Sequence, residues 1–570
     1  FLYFIEGTST CNPKPKEEDG LLSTLALSFV RPCSIFHLQT YISHFISFFY
    51  FLLCLFPLFV AHMRGSLCCA IIAGFFALLF GIGGGCAYVY LPGYVHDMVV
   101  EALAMETPTS SSFDTFVNSS SKTSIYQSFY VFHCTNADDV LASGAAPILV
   151  EKGPYNYLTT QWRNTDNISW RANATVEYTY HETYTFEPGL SGDLSEDDVI
   201  TTLDLGYIGA LYRARTSQLE IDALKVLIDV SPSKPTLFIN LTIKELFFGY
   251  NNTFLQELKA LGMVNDASVV LFEQDDPSTW ADGPSAIYTG GQAGSGLPAP
   301  PSNSINQMTK WRNMAALPYW NTSYGNMING TDGTSLPPGV SCSDQPHVFV
   351  DTLYRSVRLL CQESTSYEDV DLLRFVLHPD DTLAASINPN NAAFFMEETG
   401  FLPTPPAGNA PLVFSKPHYL DANLSNVRVN ITPAPITREL YETYLDAEPH
   451  TGVLFRVHKR IQLNVFVQSW YNTPSSVVAL MPTWYPILWA DENTALPSNL
   501  VDTFKRDVML PLLLIKYGGI AAMAFGGVLV VLALVCFVCC RRASKSETHH
   551  VFHTPSEIYA ERLNLLQEAE

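Results

Sequence analysis

Two long apolar segments dominate the hydrophobic pattern of the chain. No residue is charged from Leu67 to Leu91 or from Tyr517 to Cys540. As α-helices, both segments are long enough to cross the ~30 Å hydrocarbon core of a bilayer. A buried helix of a soluble domain is the alternative, but such helices rarely continue this far without a polar face. The pattern predicts two transmembrane helices, 67–91 and 517–540.

Basic residues at the outer ends of these segments predict the orientation of the chain. Cytoplasmic flanks are enriched in Lys and Arg, which places both ends of the chain in the cytoplasm and the middle in a lumen or outside the cell. The basic residues are Arg64 before the first span and Arg541, Arg542 and Lys545 after the second. The segments predicted on this basis are a short cytoplasmic tail at 63–66, a lumenal or extracellular domain at 92–516, and a second cytoplasmic tail at 541–570.

Residues 1–62 form a separate problem. They contain no Met, the first Met is Met63, and a third apolar run extends from Tyr41 to Val60. A third span here would place the N-terminus on the opposite side of the membrane through a tight hairpin. We interpret residues 1–62 as upstream sequence translated in error, with the protein beginning at Met63. A signal segment or an additional helix is the alternative.

Alternating hydrophobicity predicts that the middle of the chain is mainly β. Residues 176–186 alternate, and so do residues 460–468. A period of two predicts strands with one buried and one exposed face. In the second segment the apolar positions are Ile461, Leu463, Val465 and Val467, and the intervening positions are Gln462, Asn464, Phe466 and Gln468.

Helical spacing is confined to a different block, which we predict to be a small helical bundle. One stripe comprises Leu219, Ala223, Leu224, Leu227 and Ile228, and a second comprises Phe254, Leu255, Leu258 and Leu261. The stretch 282–303 is rich in Gly, Pro and Ser, which is typical of a loop. No later change of composition marks another domain, so we predict one domain with a loop-like insertion.

Sequons and charge support an exposed, secreted-type domain between the spans. The net charge of the chain is −23, and most of the acidic excess lies in this domain, so nucleic acid is not an expected partner. Motifs of hydrolases, zinc proteases and phosphate-binding loops are missing, so we expect neither an enzyme nor a cofactor or metal. The nine predicted N-glycosylation sites are Asn118, Asn167, Asn173, Asn240, Asn251, Asn321, Asn329, Asn423 and Asn430.

Several separate motifs, in order, resemble the class B scavenger receptor and lysosomal integral membrane protein family. The resemblance covers Met63 to Glu570, and Met63 begins MRGSLCC, which fits the short tail and paired cysteines of that family. The motifs are SFYVFHCTNADDV and EKGPYNY (128–157), TFEPGLS (185–191), TIKELFFGYNNTFL (242–255), MINGTDGTSLPPGV (327–340), KPHYLDA (416–422), YLDAEPHTG (444–452), KRIQLNV (459–465) and PILWADENTAL (486–496).

This resemblance implies a fold and a function. The fold is mainly β with α: an antiparallel β-barrel ectodomain, an apical helical bundle and a lipid tunnel, anchored by two transmembrane helices. The implied function is binding of lipids or lipoproteins and transfer of fatty acid or sterol lipid through the tunnel. A lysosomal cargo or sorting receptor that binds a protein ligand through its apical helices is the alternative.

The resemblance also places basic residues at the apex, where ligand enters. Lys234 falls at the apical lysine of the family, where an ammonium could hold a fatty-acid carboxylate or a modified lipoprotein; a solvated loop lysine is the other interpretation. Arg213, Arg215 and Lys225 lie in the same block, but nearby acidic residues nearly cancel their charge, so strong polyanion binding is not expected. The acidic residues are Glu220, Asp222 and Asp229.

Cysteines separate into two groups. Cys134, Cys342 and Cys361 lie in the ectodomain and allow one disulfide, for which the short loop favours Cys342 with Cys361. Cys134 is then expected to be a buried free thiol. The cysteines at the cytoplasmic boundary are palmitoylation candidates, with apolar filling of the helix ends as the alternative. These are Cys68, Cys69, Cys536, Cys539 and Cys540.

Two further features concern the membrane segments and the C-terminal tail. Small residues at four-residue spacing in both spans allow close helix contact, within one chain or in a homo-oligomer. In the tail, Glu561 precedes Leu565 and Leu566 by four residues, the spacing of acidic dileucine signals read by cytoplasmic sorting adaptors. A short amphipathic helix is the alternative. We expect residence in endosomes or lysosomes, with transit through the plasma membrane.

Overall fold

The computed structural model divides the chain into two compact units. One contains residues 96–504, and the other combines 65–95 with 505–547. The residues that the structure describes are 65–110, 112–117, 123–215, 217–272, 283–291, 304–405, 411–432, 436–468 and 481–547.

Eleven α-helices are present in the described residues. They are α1 (Gly65–Leu103), α2 (Phe113–Val117), α3 (Ala137–Ser143), α4 (Pro188–Ser191), α5 (Leu205–Ala214), α6 (Gln218–Val230), α7 (Ile243–Phe248), α8 (Thr253–Ala260), α9 (Arg438–Tyr441), α10 (Ser498–Phe504) and α11 (Leu510–Glu547). A π-helical turn, Lys505–Met509, lies between α10 and α11.

Twenty strands are present in the described residues. The first ten are β1 (Ile125–Cys134), β2 (Ile148–Arg163), β3 (Ser169–Arg171), β4 (Thr175–Tyr178), β5 (Tyr180–Phe186), β6 (Val199–Leu203), β7 (Phe238–Thr242), β8 (Tyr250–Asn251), β9 (Ser268–Val269) and β10 (Ser285–Tyr288). The others are β11 (Met308–Lys310), β12 (His347–Val350), β13 (Arg355–Tyr367), β14 (Val370–Leu377), β15 (Leu402–Pro403), β16 (Leu412–Ser415), β17 (Asn430–Ile431), β18 (Tyr444–Ala447), β19 (Leu454–Val467) and β20 (Thr483–Ala495).

A 12-stranded sheet forms the centre of the domain. Its strands follow the order β12-β13-β14-β18-β19-β20-β1-β2-β17, with β5 beside β2 and β16 beside β19. All pairs are antiparallel except β17 with β2. This confirms the mainly β, antiparallel prediction. In the described residues the terminal strands β12 and β17 do not pair with each other, so closure of the sheet into a barrel stays a prediction.

The predicted helical block is present, and polar caps connect its helices. The Asp204 side chain caps α5 by accepting from the Tyr207 amide, and the Asn252 side chain caps α8. Asn252 Nδ2 also donates to both carboxylate oxygens of Asp204, at 2.7 and 3.0 Å. Burial raises the pKa of Asp204. An added Cβ at Gly206 would lie 2.8 Å from the Asn252 side chain, so this junction requires glycine.

Both predicted apolar stripes were partly wrong. Leu224 and Ile228 on α6 are buried, but Leu219 is 80% exposed and Ala223 is also exposed. On the second stripe, Phe254, Leu255 and Leu258 are buried, while Leu261 is 61% exposed because it follows the end of α8. The face of α6 that is buried in the core of the block is therefore narrower than the sequence pattern predicted.

The prediction of one exposed face for residues 460–468 was wrong. Gln462 and Asn464 are both 0% exposed. Gln462 Nε2 donates to Asn464 Oδ1 at 2.7 Å, and Asn464 Nδ2 donates to Ser415 Oγ at 3.0 Å. The strand β16 pairs with this part of β19, and in the turn after β16 His418 N donates to Gln462 Oε1 at 2.8 Å. Hydrogen bonding thus compensates for burial of both polar side chains.

Two other predicted segments differ in detail. Residues 176–186 form parts of two strands, β4 and β5, which belong to different sheets, and β4 is buried at all four positions. Within the Gly-, Pro- and Ser-rich stretch 282–303, residues 285–288 form β10, which pairs with β4 and β11. That part of the expected insertion is therefore an element of a four-stranded sheet.

Both predicted transmembrane segments lie in helices that are long and apolar enough to cross a membrane. The apolar windows are Ile71–Tyr90 and Ser498–Cys539. The two helices also contact each other closely. A Cβ added at Gly526 would lie 2.9 Å from the Ala77 carbonyl oxygen, and one at Gly84 would lie 2.8 Å from the Gly519 carbonyl oxygen. The small residues therefore permit contact within a single chain.

Candidate functional site

The four basic residues predicted at the apex lie in and beside the helical block. Arg213 and Arg215 stand at the end of α5, Lys225 lies on α6, and Lys234 lies in the loop before β7. The Arg215 guanidinium stacks 3.4 Å above the Tyr212 ring and donates to the Tyr212 carbonyl. This contact holds Arg215 against its own helix. Among the described residues, no ion pair involves Arg213, Lys225 or Lys234.

Lys234 lies on a loop that is hydrogen-bonded to α8. Glu257 on α8 accepts from Ser231 Oγ at 2.5 Å and from the Ser233 amide at 3.1 Å. Lys234 itself is exposed and has a φ of +45°. Its ammonium is therefore available to a ligand on a well-positioned turn.

The exposed side of α6 carries an apolar face. Leu219, Val226 and Val230 are 80%, 61% and 69% exposed. Their spacing of seven and four residues places them on one side of the helix. Three large apolar side chains on one exposed face favour contact with an apolar surface.

Aromatic rings from the sheet and from α7 pack against one another in the core of the domain. The centroid of Phe129 lies 4.5 Å from that of Phe247 and 4.7 Å from that of Phe272. Phe248 lies 5.9 Å from Tyr184. We call this group the aromatic wall; it also includes Tyr157 and Phe186.

A polar group, the Glu182 cluster, continues from the aromatic wall along β5. Tyr180, Glu182 and Tyr184 alternate along the strand and share one face. The Glu182 carboxylate accepts from the Tyr184 hydroxyl, from the Tyr180 hydroxyl at 2.9 Å and from Gln161 Nε2 at 2.8 Å. The pairing of Gln161 with Glu182 in the β2–β5 register produces the last of these contacts.

A lysine–glutamate pair lies close enough to the cluster to interact with it electrostatically. Lys459 Nζ donates to Glu492 Oε1 at 2.8 Å across the β19–β20 register. Lys459 is also attracted by Asp332 and Asp351, and Glu492 repels Glu182. These residues complete the Glu182 cluster.

The Glu182 cluster is at once desolvated and accessible. Burial raises the pKa of Glu182 and of Tyr180. Yet Tyr180 is 44% exposed, and the Lys459 side chain is 39% exposed. The cluster therefore combines a desolvated acid with side chains that solvent can still reach.

A separate cavity of about 100 Å³ lies beside α3. Ligand pockets usually measure about 300–1,000 Å³, so this cavity is too small for a whole lipid. It does not connect, by any contact recorded among the described residues, to the Glu182 cluster. Its apolar lining includes Leu203, Leu237, Phe238 and Val467, and Arg428 lies at its edge.

The ectodomain cysteines and most sequons can be placed. Cys342 and Cys361 form a disulfide, and Cys134 is a free, buried thiol. Cys536 is partly exposed and Cys539 exposed on α11. The side chain of Asn329 is partly exposed, and seven other acceptor asparagines are exposed. The exposed seven are Asn167, Asn173, Asn240, Asn251, Asn321, Asn423 and Asn430.

Other predicted sites fall outside the described residues. These are residues 1–62, the sequon at Asn118, and the sorting residues Glu561, Leu565 and Leu566. The side chains of Cys68, Cys69 and Cys540 are likewise not described. Among the described residues, no group of His, Cys, Asp and Glu side chains is arranged to hold a metal ion.

Sequence reasoning missed the Glu182 cluster. The available signal was an acid between two tyrosines at alternate positions of a strand, which favours a hydrogen-bonded carboxylate on an inward face. Lys459 and Glu492 gave no such local signal, because only the β19–β20 register brings them together.

The chain is similar to several known proteins over most of its length. The model of the CD36 family matches residues 72–537. Scavenger receptor class B member 1 of Mus musculus is 25% identical, over 81% of this chain and 88% of that protein. Sensory neuron membrane protein 2 of Heliothis virescens is 28% identical, over 65% and 75%. Lysosome membrane protein 2 of Rattus norvegicus is 26% identical, over 70% and 82%.

Proposed function

The chain belongs to the CD36 family, and on that premise we propose that it is a membrane receptor that binds lipids or lipoproteins and transfers fatty acid or sterol lipid through the interior of its ectodomain. The observation that carries the proposal is that the desolvated Glu182 cluster keeps accessible surface and adjoins the aromatic wall through Tyr184. We infer that these side chains line a recess inside the ectodomain. Scavenger receptor class B member 1 supports the receptor assignment by its name.

An enclosed apolar path addresses the main barrier to lipid transfer. Exposing an acyl chain or sterol to water costs about 0.8 kcal/mol per CH₂ group. Rings such as Phe248, Phe272 and Tyr184 replace that water with apolar contact. Transfer through the domain then avoids the step of dissolving the lipid in water.

The helical block supplies the docking surface in this proposal. The exposed face of α6, with Leu219, Val226 and Val230, contacts the apolar surface of a lipid particle. Lys234 holds an anionic ligand group through a charge-assisted bond. Arg213, Arg215 and Lys225 contribute less, since Arg215 is held by Tyr212 and acidic residues on α6 offset the others.

Plugging the recess tests the transfer proposal. In a Tyr180→Cys variant, a bulky thiol reagent should abolish lipid uptake by cells and leave surface expression unchanged. A Glu363→Cys variant, modified at an exposed position of β13, is the matched control. Uptake that persists after verified modification of Cys at position 180 would remove lipid conduction from the proposal.

Binding of a protein cargo is the second candidate function. The same exposed face of α6 favours it, because a row of large apolar side chains can also seat a helix of a partner. Affinity capture of one lysosomal hydrolase, lost when Val226 is changed to Lys, would support cargo binding. Capture that is unaffected by this change would exclude α6 as the cargo site.

We also propose endosomal or lysosomal residence, with transit through the plasma membrane and recognition by cytoplasmic sorting adaptors. The acidic dileucine spacing of Glu561, Leu565 and Leu566 supports it, as does similarity to lysosome membrane protein 2. Changing both leucines to Ala should move the protein to the cell surface, whereas Leu563→Ala should not. An unaltered distribution would show that the motif is not read.

Covalent modifications complete the proposal. The exposed sequons carry N-glycans, and the boundary cysteines, Cys536 and Cys539 among them, carry palmitate. Deglycosylation should lower the apparent mass in steps, and hydroxylamine should release the acyl groups.

A further inference from the structure

We propose that the Glu182 cluster is a head-group site that favours uncharged, hydroxyl-bearing lipids over ionised fatty acids. This inference rests on the proposed function, because it assumes that a lipid enters the recess. It adds the chemical class of the ligand and the residues that select it.

The first line of support is an unpartnered hydroxyl beside the cluster. Thr159 is 2% exposed, and its Oγ1 has no hydrogen-bond partner among the described residues. Thr159 lies opposite Tyr184 in the β2–β5 register and two residues before Gln161, so its side chain is on the face of β2 that meets Glu182. Leaving such a group unpaired is costly, and a ligand hydroxyl would satisfy it.

The cluster also offers both a donor and an acceptor to a ligand. Lys459 can donate three hydrogen bonds, and within the described residues one is directed to Glu492. The Glu492 side chain is 29% exposed and can accept. An aliphatic hydroxyl can donate one hydrogen bond and accept another, so it can use both groups.

The charge balance opposes a carboxylate at the same position. The carboxylates of Glu182, Glu492, Asp332 and Asp351 interact with Lys459 or with one another, and they outnumber the two cations found beside them in the described part of the chain, Lys459 and Arg163. The Arg163 guanidinium is already engaged, because it lies 4.2 Å from the Phe116 ring centroid and 3.5 Å from Asp332. An ionised fatty acid would therefore add a negative charge to an acidic, desolvated site.

The apolar part of such a ligand can pack against the aromatic wall. Tyr184 belongs to both groups, since its ring lies 5.9 Å from Phe248 and its hydroxyl donates to Glu182. An amphipathic molecule can thus present its hydroxyl to the cluster and its hydrocarbon to Phe248 and Phe272. A sterol and a fatty alcohol share this chemistry.

A matched pair of probes tests the inference on the full-length protein in detergent. Photoreactive hexadecanol and photoreactive hexadecanoate have the same chain length and differ in the head group. We expect hexadecanol to label the protein at least about fivefold more, the ratio that ~1 kcal/mol of discrimination gives. A photoreactive sterol and its methyl ether form a second pair, which shows whether a sterol or a simple alkyl chain suits the recess better.

Three variants test which residues cause the preference for hexadecanol over hexadecanoate. Glu182→Gln removes one negative charge and keeps a polar side chain, so hexadecanoate labelling should rise and the preference should shrink. Glu492→Gln should act in the same direction, and it replaces the first variant if that one is not expressed. Glu363→Gln removes the same charge from an exposed position, 55% accessible, and should change nothing.

The outcomes separate this inference from the proposed function. Equal labelling of the wild-type protein by the alcohol and the acid, or a preference that both variants leave intact, overturns the head-group site while lipid binding stands. Failure of all four probes to label the protein overturns the proposed function as well.

Discussion

Two polar groups within the same sheet, the Glu182 cluster and the Asn464 network, show opposite properties. Gln462 and Asn464 are 0% exposed, and Ser415 and His418 N complete their hydrogen bonds. In the Glu182 cluster, Tyr180 is 44% exposed, and beside the cluster Thr159 Oγ1 has no hydrogen-bond partner within the described residues.

The difference teaches how a polar group inside a β domain can be assigned. A network that is saturated and inaccessible contributes to stability and to the register of β16 on β19. A cluster that is accessible, desolvated and incompletely paired is able to bind a ligand. Burial alone does not distinguish the two; the remaining accessible surface and spare hydrogen-bonding groups do.

The largest expected effect is on stability, at the Asn464 network. Asn464→Ala leaves Gln462 Nε2 without a partner and removes one of the hydrogen bonds of Ser415 Oγ, so it should lower the free energy of unfolding by about 2–3 kcal/mol. Urea unfolding followed by tryptophan fluorescence measures it. The exposed Asn390→Ala is the control. An equal decrease in the free energy of unfolding for both variants would contradict a stabilising role of the network.

A smaller effect is expected in the pH dependence of stability. Burial raises the pKa of Glu182, so the folded state holds this proton to higher pH than the unfolded state does. Its stabilising contribution is complete below the unfolded pKa of about 4.3 and is lost as pH rises through the folded pKa. The thermal midpoint of Glu182→Gln should therefore exceed that of the wild type by more at pH ~7 than at pH ~4.5.

Glu177 on β4 provides the opposite sign. Hydrogen bonds from Lys310 and Arg171 lower the pKa of Glu177. Its contribution is present above the unfolded pKa and is lost as pH falls through the folded pKa. Glu177→Gln should therefore cost stability at pH ~7 and little at pH ~3. Parallel pH profiles for the two variants would contradict the assignment of Glu182 as the desolvated acid.

The smallest effect is expected at the surface. Lys234→Gln should reduce binding of an anionic lipid particle about twofold, the scale of an exposed charge pair, and leave binding of a neutral particle unchanged. Surface binding of labelled liposomes with and without an anionic lipid measures this. A loss larger than that of the plugged recess variant would reverse the relative importance of surface and interior.

The sequence predicted the features that depend on local pattern. The strands and the helical block follow from periodicity, the two membrane helices from long uncharged segments, and the antiparallel arrangement and the family from ordered motifs. Patterns failed where tertiary contacts decide burial: Gln462 and Asn464 were expected to be exposed, and Leu219 buried. In each case the neighbouring element, β16 or the rest of the helical block, determines which face is covered.

Apart from the acid between two tyrosines on β5, the Glu182 cluster could not be predicted, because its other residues come from distant parts of the chain. Two strand registers form its two pairs: β2–β5 places Gln161 beside Glu182, and β19–β20 places Lys459 beside Glu492. A one-residue shift in either register would turn one partner to the opposite face. Register depends on the whole sheet and is not encoded in any single strand.

The most direct test of the central claim is to map where a photoreactive lipid attaches. After crosslinking of the full-length protein with photoreactive hexadecanol, peptide mass spectrometry should place the label on residues of β5 and its surroundings, Tyr180 and Tyr184 among them, and on no peptide of the Asn464 network. Label confined to the exposed face of α6, at Leu219, Val226 and Val230, would contradict an interior lipid site.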